Sequence, residues 1–341
     1  MSRKLAHSLF VAMAFLLFPL SVSTLFGPFW LRTLDFALLY AMLALGLNMV
    51  VGFAGLLDLG YIAFYAVGAY TYALLESGQF GLHWPVFPVL LLCAALAALA
   101  GVLLGAPTLR LRGDYLAIVT LGFGEIVRLF LNNLDQPVNI TNGPQGISAI
   151  DPLHWGRWYW DQGVVLVNWH IRPEYLYYLL FLLVFMLLYG VSGRLQDSPL
   201  GRAWVALRED ELATAAMGIS LRNIKLLAFA LGASFAGLAG GLFAAFQGFV
   251  SPESFSLMES IMILCMVVIG GMGNLAGVCL GAVLLTLIPE LLRSLAPSLG
   301  GHGIDPENLR MLLFGLALIA TVILRPQGLW PSSLRRREWQ S

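Results

Sequence analysis

The residues of this chain best placed to do chemistry are ionisable side chains that stand in or beside apolar runs long enough to cross a bilayer. A charge at the bilayer centre costs about 2.5–3.5 kcal/mol on insertion scales, so these groups should face protein or water. Glu125 and Arg128 are three residues apart on one helical face and are able to pair. Two interpretations stay open for them, a structural ion pair and a position on a path across the membrane. The full set comprises Asp35, Asp58, Glu125, Arg128, Glu259 and Glu290.

A second polar group surrounds a predicted helix break. Asn48 and Asp58 flank Gly52 and Gly55, which favour an interruption of the helix. Unwound backbone is tolerated at membrane depth only where protein or a water-filled cavity satisfies its polar groups. Asn48 and Asp58 are therefore expected to satisfy freed backbone groups there, and the alternative is that they line a translocation path.

The remaining motifs give no sign of an enzyme. The five histidines are scattered without an HExxH pattern, and the three cysteines stand in apolar runs without metal-ligand or redox spacing. No GxxxxGK[ST] phosphate loop is present in the sequence. We therefore expect no catalytic residues, no metal and no cofactor, and a transporter built on this chain would either draw its energy from a partner or act as a passive channel.

Composition assigns the chain to the membrane. Of 341 residues, 59% are hydrophobic and 11% are charged, and one helical span needs about 20 apolar residues. We predict an all-α polytopic membrane protein, with about ten transmembrane helices in one bundle and one domain over residues 1–341. The predicted spans are 8–26, 33–52, 57–75, 86–107, 115–132, 174–192, 224–247, 257–270, 275–294 and 309–325.

The basic residues orient this bundle. With the N- and C-termini cytoplasmic, most of the 19 Lys and Arg residues fall in cytoplasmic segments, in agreement with the positive-inside rule. The first run could instead be a cleaved signal peptide, because Arg3 and Lys4 precede it and Ser21 and Ser23 form a small-x-small site. The formal net charge of zero gives no case for nucleic-acid binding.

Two connections are long. The external segment, 133–173, contains four tryptophans and Tyr159, which either anchor at the membrane interface or form a docking surface for an external protein. The cytoplasmic segment, 193–223, contains Ser198-Pro199, an N-cap followed by proline at the first helical position, and Gly218 suits the end of the helix.

The sequence pattern of this cytoplasmic segment predicts one helix or a pair of short helices that lie along the membrane face. Charged residues stand between small ones that would allow close approach of another protein. Its candidate docking residues are Arg208, Glu209, Glu211, Ala213, Ala216 and Gly218. A solvated helix without a partner is an equally good interpretation of the same pattern.

Several stretches together are similar to one known family. They are GLN, GFAG and GAY within 46–70, LRGDYLAIVTLGFGEIVR at 111–128, NGPQGI at 142–147, LREDE at 207–211, SPESF at 251–255, GGMG at 270–273 and RPQGL at 325–329. The chain resembles, over roughly 33–330, the LivM-type permeases of bacterial ABC importers for branched-chain amino acids.

The resemblance implies a subunit of an inner-membrane importer in contact with membrane lipid. Its expected partners are a LivH-type sister permease, two cytoplasmic ABC ATPase subunits and a periplasmic amino-acid-binding protein. The resemblance also implies that 198–218 grips the ATPases. The family pattern there is Glu-Ala-Ala, three residues and Gly, and this chain keeps Glu211 and Gly218 with altered spacing. Urea or short-chain amides remain alternative substrates, and a self-contained channel or secondary transporter remains an alternative class.

Overall fold

The computed structural model describes residues 27 and 29–295, except 109–110, 112, 137, 156–157, 161–163 and 167–168, and a few isolated positions beyond 311. The described chain is mostly helical. Its helices are α1 (Phe29–Leu47), α2 (Ile62–Leu75), α3 (Val86–Thr108), α4 (Asp114–Asn133), α5 (Pro173–Asp197), α6 (Pro199–Glu209), α7 (Glu211–Ala216), α8 (Leu221–Gln247), α9 (Leu257–Gly270) and α10 (Leu275–Leu295).

Within this part of the chain, five helices are long and apolar enough to cross a membrane. They are α1 with its π-helical extension, α3, α4, α5 and α8. The helices α2 and α9 and the apolar part of α10 are shorter. The chain is thus a multi-pass membrane protein. The predicted first span, 8–26, with its possible cleavage site, and the tenth, 309–325, apart from isolated positions, lie outside the described residues.

Within the described residues, the helices lie close to the bounds of the predicted spans except near the glycines. The second span was predicted to end at residue 52, but α1 ends at Leu47 and continues as a π-helix over Asn48–Phe53. The third was predicted from residue 57, but α2 begins at Ile62 because residues 54–61 are not helical. Periodicity of apolar residues does not reveal either change, since the irregular residues are themselves mostly apolar.

The core of the bundle is α8, which packs against α1, α2 and α3. Glycine permits these close contacts: a Cβ on Gly68 of α2 would overlap the carbonyl oxygen of Gly237 in α8. A Cβ on Gly101 of α3 would lie 2.7 Å from the Cβ of Ala233 in α8. Small residues let helix backbones approach closely in a membrane, where the hydrophobic effect does not drive helices together.

Between α4 and α5, the described residues of the external segment form no α-helix, in contrast to the all-α prediction. It contains a 3₁₀ turn at Gly143–Gln145 and the short strands β1 (Ile147–Ser148), β2 (His154–Trp155), β3 (Trp158–Tyr159), β4 (Val164–Leu166) and β5 (Trp169–Ile171). Antiparallel pairs form between β2 and β3, between β4 and β5, and between β1 and β6 (Phe249–Val250) after α8. The backbone N–H and C=O groups of these short strands form hydrogen bonds with one another. The spacing of apolar residues in the helices does not predict such strand pairs. Trp160, one of the aromatic residues singled out from the sequence, packs edge-on against Tyr177 of α5.

Contacts between distant segments define two ends of the bundle. At one end the Nη2 of Arg32, at the start of α1, donates to Gln247 at the end of α8. At the other end the backbone N–H of Leu329 donates to the carbonyl of Ile269, 2.8 Å away, where α9 ends. Residues 328–330 therefore lie at the same end as the turn between α9 and α10, opposite the strands.

Candidate functional site

The segment between α5 and α8 folds as two short helices whose ends follow local capping rules. The Ser198 hydroxyl accepts a hydrogen bond from the Gly201 N–H, and Pro199 takes the first helical position of α6, as predicted. The Asp210 carboxylate accepts from the N–H groups of Leu212 and Ala213, which caps α7. Gly218 has φ +80°, the left-handed conformation that ends a helix and favours glycine.

Three contacts fix these helices to the bundle. The indole of Trp204 is fully buried and donates from Nε1 to the Ile224 carbonyl at 3.0 Å. The Lys225 ammonium of α8 lies 2.6 Å from the Glu211 carboxylate and is itself buried. Because a buried cation is costly without a counter-charge, Glu211 serves to hold α7 against α8.

The third contact joins α6 to the π-helix. Arg208 donates from Nη1 to the carbonyl oxygen of Gly52 at 2.7 Å. Its side-chain stem lies over Gly55, where an added Cβ would stand 2.6 Å from the Arg208 Cγ. Arg208 and Glu211, both interpreted from the sequence as docking residues, thus have their charged groups directed to the bundle.

The outer face of the two helices is open. Its exposed residues form what we name the coupling surface: Glu209, Leu212, Ala213, Ala216, Met217 and Gly218. Leu212 is 69% exposed and Met217 81% exposed. The sequence interpretation missed both, although large apolar residues beside exposed alanines are the signal that identifies such a face. A cavity of about 350 Å³ adjoins this surface between residues 54–56 and 207–212.

The π-helix and residues 54–61 form what we name the polar break. The Asn48 side-chain oxygen accepts from the Gly273 N–H at 2.8 Å, so it bridges α1 to the α9–α10 turn. Asp58 accepts from the Gly60 N–H at 2.9 Å. The predicted role of these two side chains in satisfying freed backbone groups therefore has a geometric basis. A Cβ on Gly52 would overlap the Asn48 amide, which explains why glycine is needed at this turn.

Glu125 and Arg128 meet on α4. The Arg128 Nη2 lies 2.5 Å from the Glu125 carboxylate, and the Nη1 lies 3.5 Å from Glu253 before α9. The pair is partly exposed, and Glu125 lines a cavity of about 130 Å³ together with Leu59 of the polar break. Among the other ionisable residues, Glu259 accepts a hydrogen bond from the Tyr40 hydroxyl at 2.9 Å.

The family of branched-chain amino acid transport system permease components matches residues 29–322. The chain belongs to this permease family. The permease is 48% identical over 316 residues to the high-affinity branched-chain amino acid transport permease LivM of Escherichia coli K12, an alignment that covers 88% of this chain and 70% of that protein. It is also 48% identical to LivM of Salmonella typhimurium, with 86% of this chain and 68% of that protein covered.

The permease is also similar to a sister protein of such systems. It is 23% identical over 295 residues to LivH of Escherichia coli K12, which covers 85% of this chain and 90% of that protein. These relatives are transport permeases and not enzymes. No solved structure matches the permease.

Proposed function

We propose that this permease is the transmembrane subunit of an ATP-driven ABC importer that moves leucine, isoleucine and valine into the cytoplasm. The family membership and the 48% identity to two LivM proteins support the substrate class. The observation that carries the coupled mechanism is the coupling surface, an exposed apolar face on helices that are tied firmly to the bundle by Trp204, Glu211 and Arg208.

The proposed topology is a single domain of ten spans in the bacterial inner membrane, in contact with membrane lipid, with both termini cytoplasmic. The eight described helices outside the α6–α7 pair alternate in direction, which supports this count. The contact of Leu329 with Ile269 supports a C-terminus on the side of the coupling surface, since α9 ends there. Basic residues at that end, including Arg202, Arg208 and Arg222, favour the cytoplasmic side.

The proposed partners are a LivH-type sister permease, two ATPases that bind and hydrolyse ATP, and a periplasmic amino-acid-binding protein. The permease itself then needs no cofactor. Closure of the ATPase pair presses on the coupling surface. The bond from Arg208 to Gly52 carries the displacement to the polar break, and the bond from Asn48 to Gly273 carries it to the α9–α10 turn. The outward- and inward-open states must differ in these contacts if ATP is to shift their populations.

Uptake of labelled leucine in cells that lack the gene, and in the same cells with the gene restored, tests the proposal. We expect loss of leucine uptake and its rescue, with urea uptake unchanged in parallel. Loss of urea uptake alone would show that the substrate is urea and would leave the assignment as an importer subunit unchanged. Leucine uptake that persists without the gene, in cells with no second leucine importer, would contradict the function.

A further inference from the structure

Three side chains able to bind a metal meet at the strand-bearing end of the bundle, far from the coupling surface. Glu76 directly follows α2, His83 lies in the loop before α3, and Asp151 lies in the external segment. One ligand atom from each lies within 4.8 Å of the other two. The sequence did not predict this cluster, because His83 and Asp151 are 68 residues apart.

The carboxylate of Glu76 is the buried member of this cluster. Its residue is 0% exposed, and neither carboxylate oxygen accepts a hydrogen bond from the residues that the structure describes. A buried carboxylate of this kind is stabilised by a cation or a set of donors, and burial without either is costly.

The other two ligands are positioned beside it and are open to solvent. The Nδ1 of His83 lies 2.5 Å from the Asp151 carboxylate, and the His83 side chain is half exposed. Asp151 is held in place by its backbone, since its N–H donates to the Glu76 carbonyl at 2.6 Å. Its own carbonyl accepts from the Tyr72 hydroxyl. An ion can therefore enter past His83 and reach ligands that are already assembled.

We propose that Glu76, His83 and Asp151 bind a Zn²⁺ ion on the external side of the permease. Imidazole and carboxylate groups suit zinc, which binds both at about 2.0–2.2 Å in tetrahedral geometry. Tetrahedral ligand atoms at that radius stand about 3.3 Å apart. Rotation of the side chains would lengthen the distance between His83 Nδ1 and the Asp151 carboxylate and would bring the Glu76 carboxylate closer to both. Three protein ligands leave the fourth position to water.

Such an ion would join the end of α2 to the loop before α3 and to the external segment. The backbone already links α2 to this segment through an isolated bridge between Ser77 and Ile150. Zinc would add a second link made by side chains. Since a metal that binds only the folded state stabilises it, zinc should raise the temperature at which the permease unfolds.

The test titrates Zn²⁺ into the purified importer complex, carried in lipid nanodiscs without a histidine tag, against a fluorescent chelator. We expect one zinc per chain of this permease. Glu76→Gln and His83→Asn should each weaken binding by at least about tenfold, because each removes a ligand. The matched controls are Asp135→Asn and His154→Asn, on the same side of the bundle and outside the cluster, and they should bind as the unaltered chain does.

A second readout separates coordination from a general effect on folding. Co²⁺ in the same site should give the strong visible absorption of a tetrahedral complex, and His83→Asn should remove it. If Glu76→Gln does not fold, His83→Asn decides the matter, since that side chain is half exposed. Zinc bound equally by a folded Glu76→Gln or His83→Asn variant and by the unaltered permease would overturn the site, and so would equal losses in the controls.

Discussion

At the scale of single residues, Arg208 has a contact that the sequence did not predict. It is one of the candidate docking residues of the cytoplasmic segment, and its guanidinium donates to the Gly52 carbonyl. That carbonyl belongs to the π-helix, where the usual acceptors and donors are displaced. Arg208 therefore links the coupling surface to the polar break, while exposed Glu209 remains available to a partner.

Replacing Arg208 with methionine should uncouple transport from ATP hydrolysis. Methionine keeps an apolar stem over Gly55 but removes a charge-assisted hydrogen bond, an interaction worth about 1.5–3 kcal/mol. The measurement is the ratio of leucine transported to ATP hydrolysed by the complex in proteoliposomes, which should fall several-fold. The matched control, Arg222→Met, removes an exposed arginine near the start of α8. An unchanged ratio in Arg208→Met would show that the contact carries no displacement.

At the scale of the helices, the bundle depends on glycine where α8 meets its neighbours. Gly68 and Gly237 bring α2 and α8 into backbone contact, and the buried side chains around them leave no room for a shift. Packing of this density resists added volume, because the surrounding atoms cannot move without strain. The helix α5, by contrast, has one exposed glycine, Gly190, with open space beside it.

Two Gly→Ala substitutions should therefore change the stability of the permease in opposite directions. Gly68→Ala inserts a methyl group against the Gly237 carbonyl and should cost about 1–3 kcal/mol of stability through overpacking. Gly190→Ala adds the same methyl group in open space and should gain up to about 1 kcal/mol from helix propensity. Thermal unfolding of the two purified variants, compared with the unaltered permease, measures the difference. Equal unfolding temperatures would mean that α2 and α8 do not touch as described.

At the scale of the whole molecule, the two ends of the bundle carry different surfaces. The coupling surface and the π-helix, joined by the bond from Arg208 to Gly52, lie at one end, and the strands and the Glu76 cluster lie at the other. Because α1 and α8 run the full distance between them, a displacement at one end can reach the other through rigid helices. A substitution at the coupling surface could therefore affect the whole bundle. Its test must measure docking of the proposed ATPases separately from membrane insertion.

Ala213→Arg should abolish capture of the ATPases and leucine uptake while leaving membrane insertion intact. Ala213 is exposed in the centre of the coupling surface, where a long cation would hold a partner away. A bulky charge at Gly218 should act in the same direction, but φ +80° there adds backbone strain, so Ala213 is the cleaner site. Co-purification of the ATPases and uptake are measured together. Asn223→Arg adds the same charge at an exposed position of α8 and should retain both, whereas normal uptake by Ala213→Arg would exclude this face.

Much of this architecture follows from local rules. The length of each apolar run predicts the spans, and Ser198, Pro199 and Gly218 predict the ends of the cytoplasmic helices, since capping depends on adjacent residues. The bond from Asn48 to Gly273 and the meeting of Glu76 with Asp151 depend instead on how distant segments pack. No spacing along the chain encodes such contacts, so only the fold reveals them.

The π-helix has a consequence for movement. The N–H of Ala54 donates to the Met49 carbonyl, five residues back, so this turn holds one residue more than an α-helical turn. If the π-helical turn converted to an α-helical turn, the extra residue would add about 100° of rotation and about 1.5 Å of rise to the helix. The chain that follows the turn would move by the same amounts. A displacement of Gly52 along the helix axis would then rotate the residues that follow the π-helix about that axis.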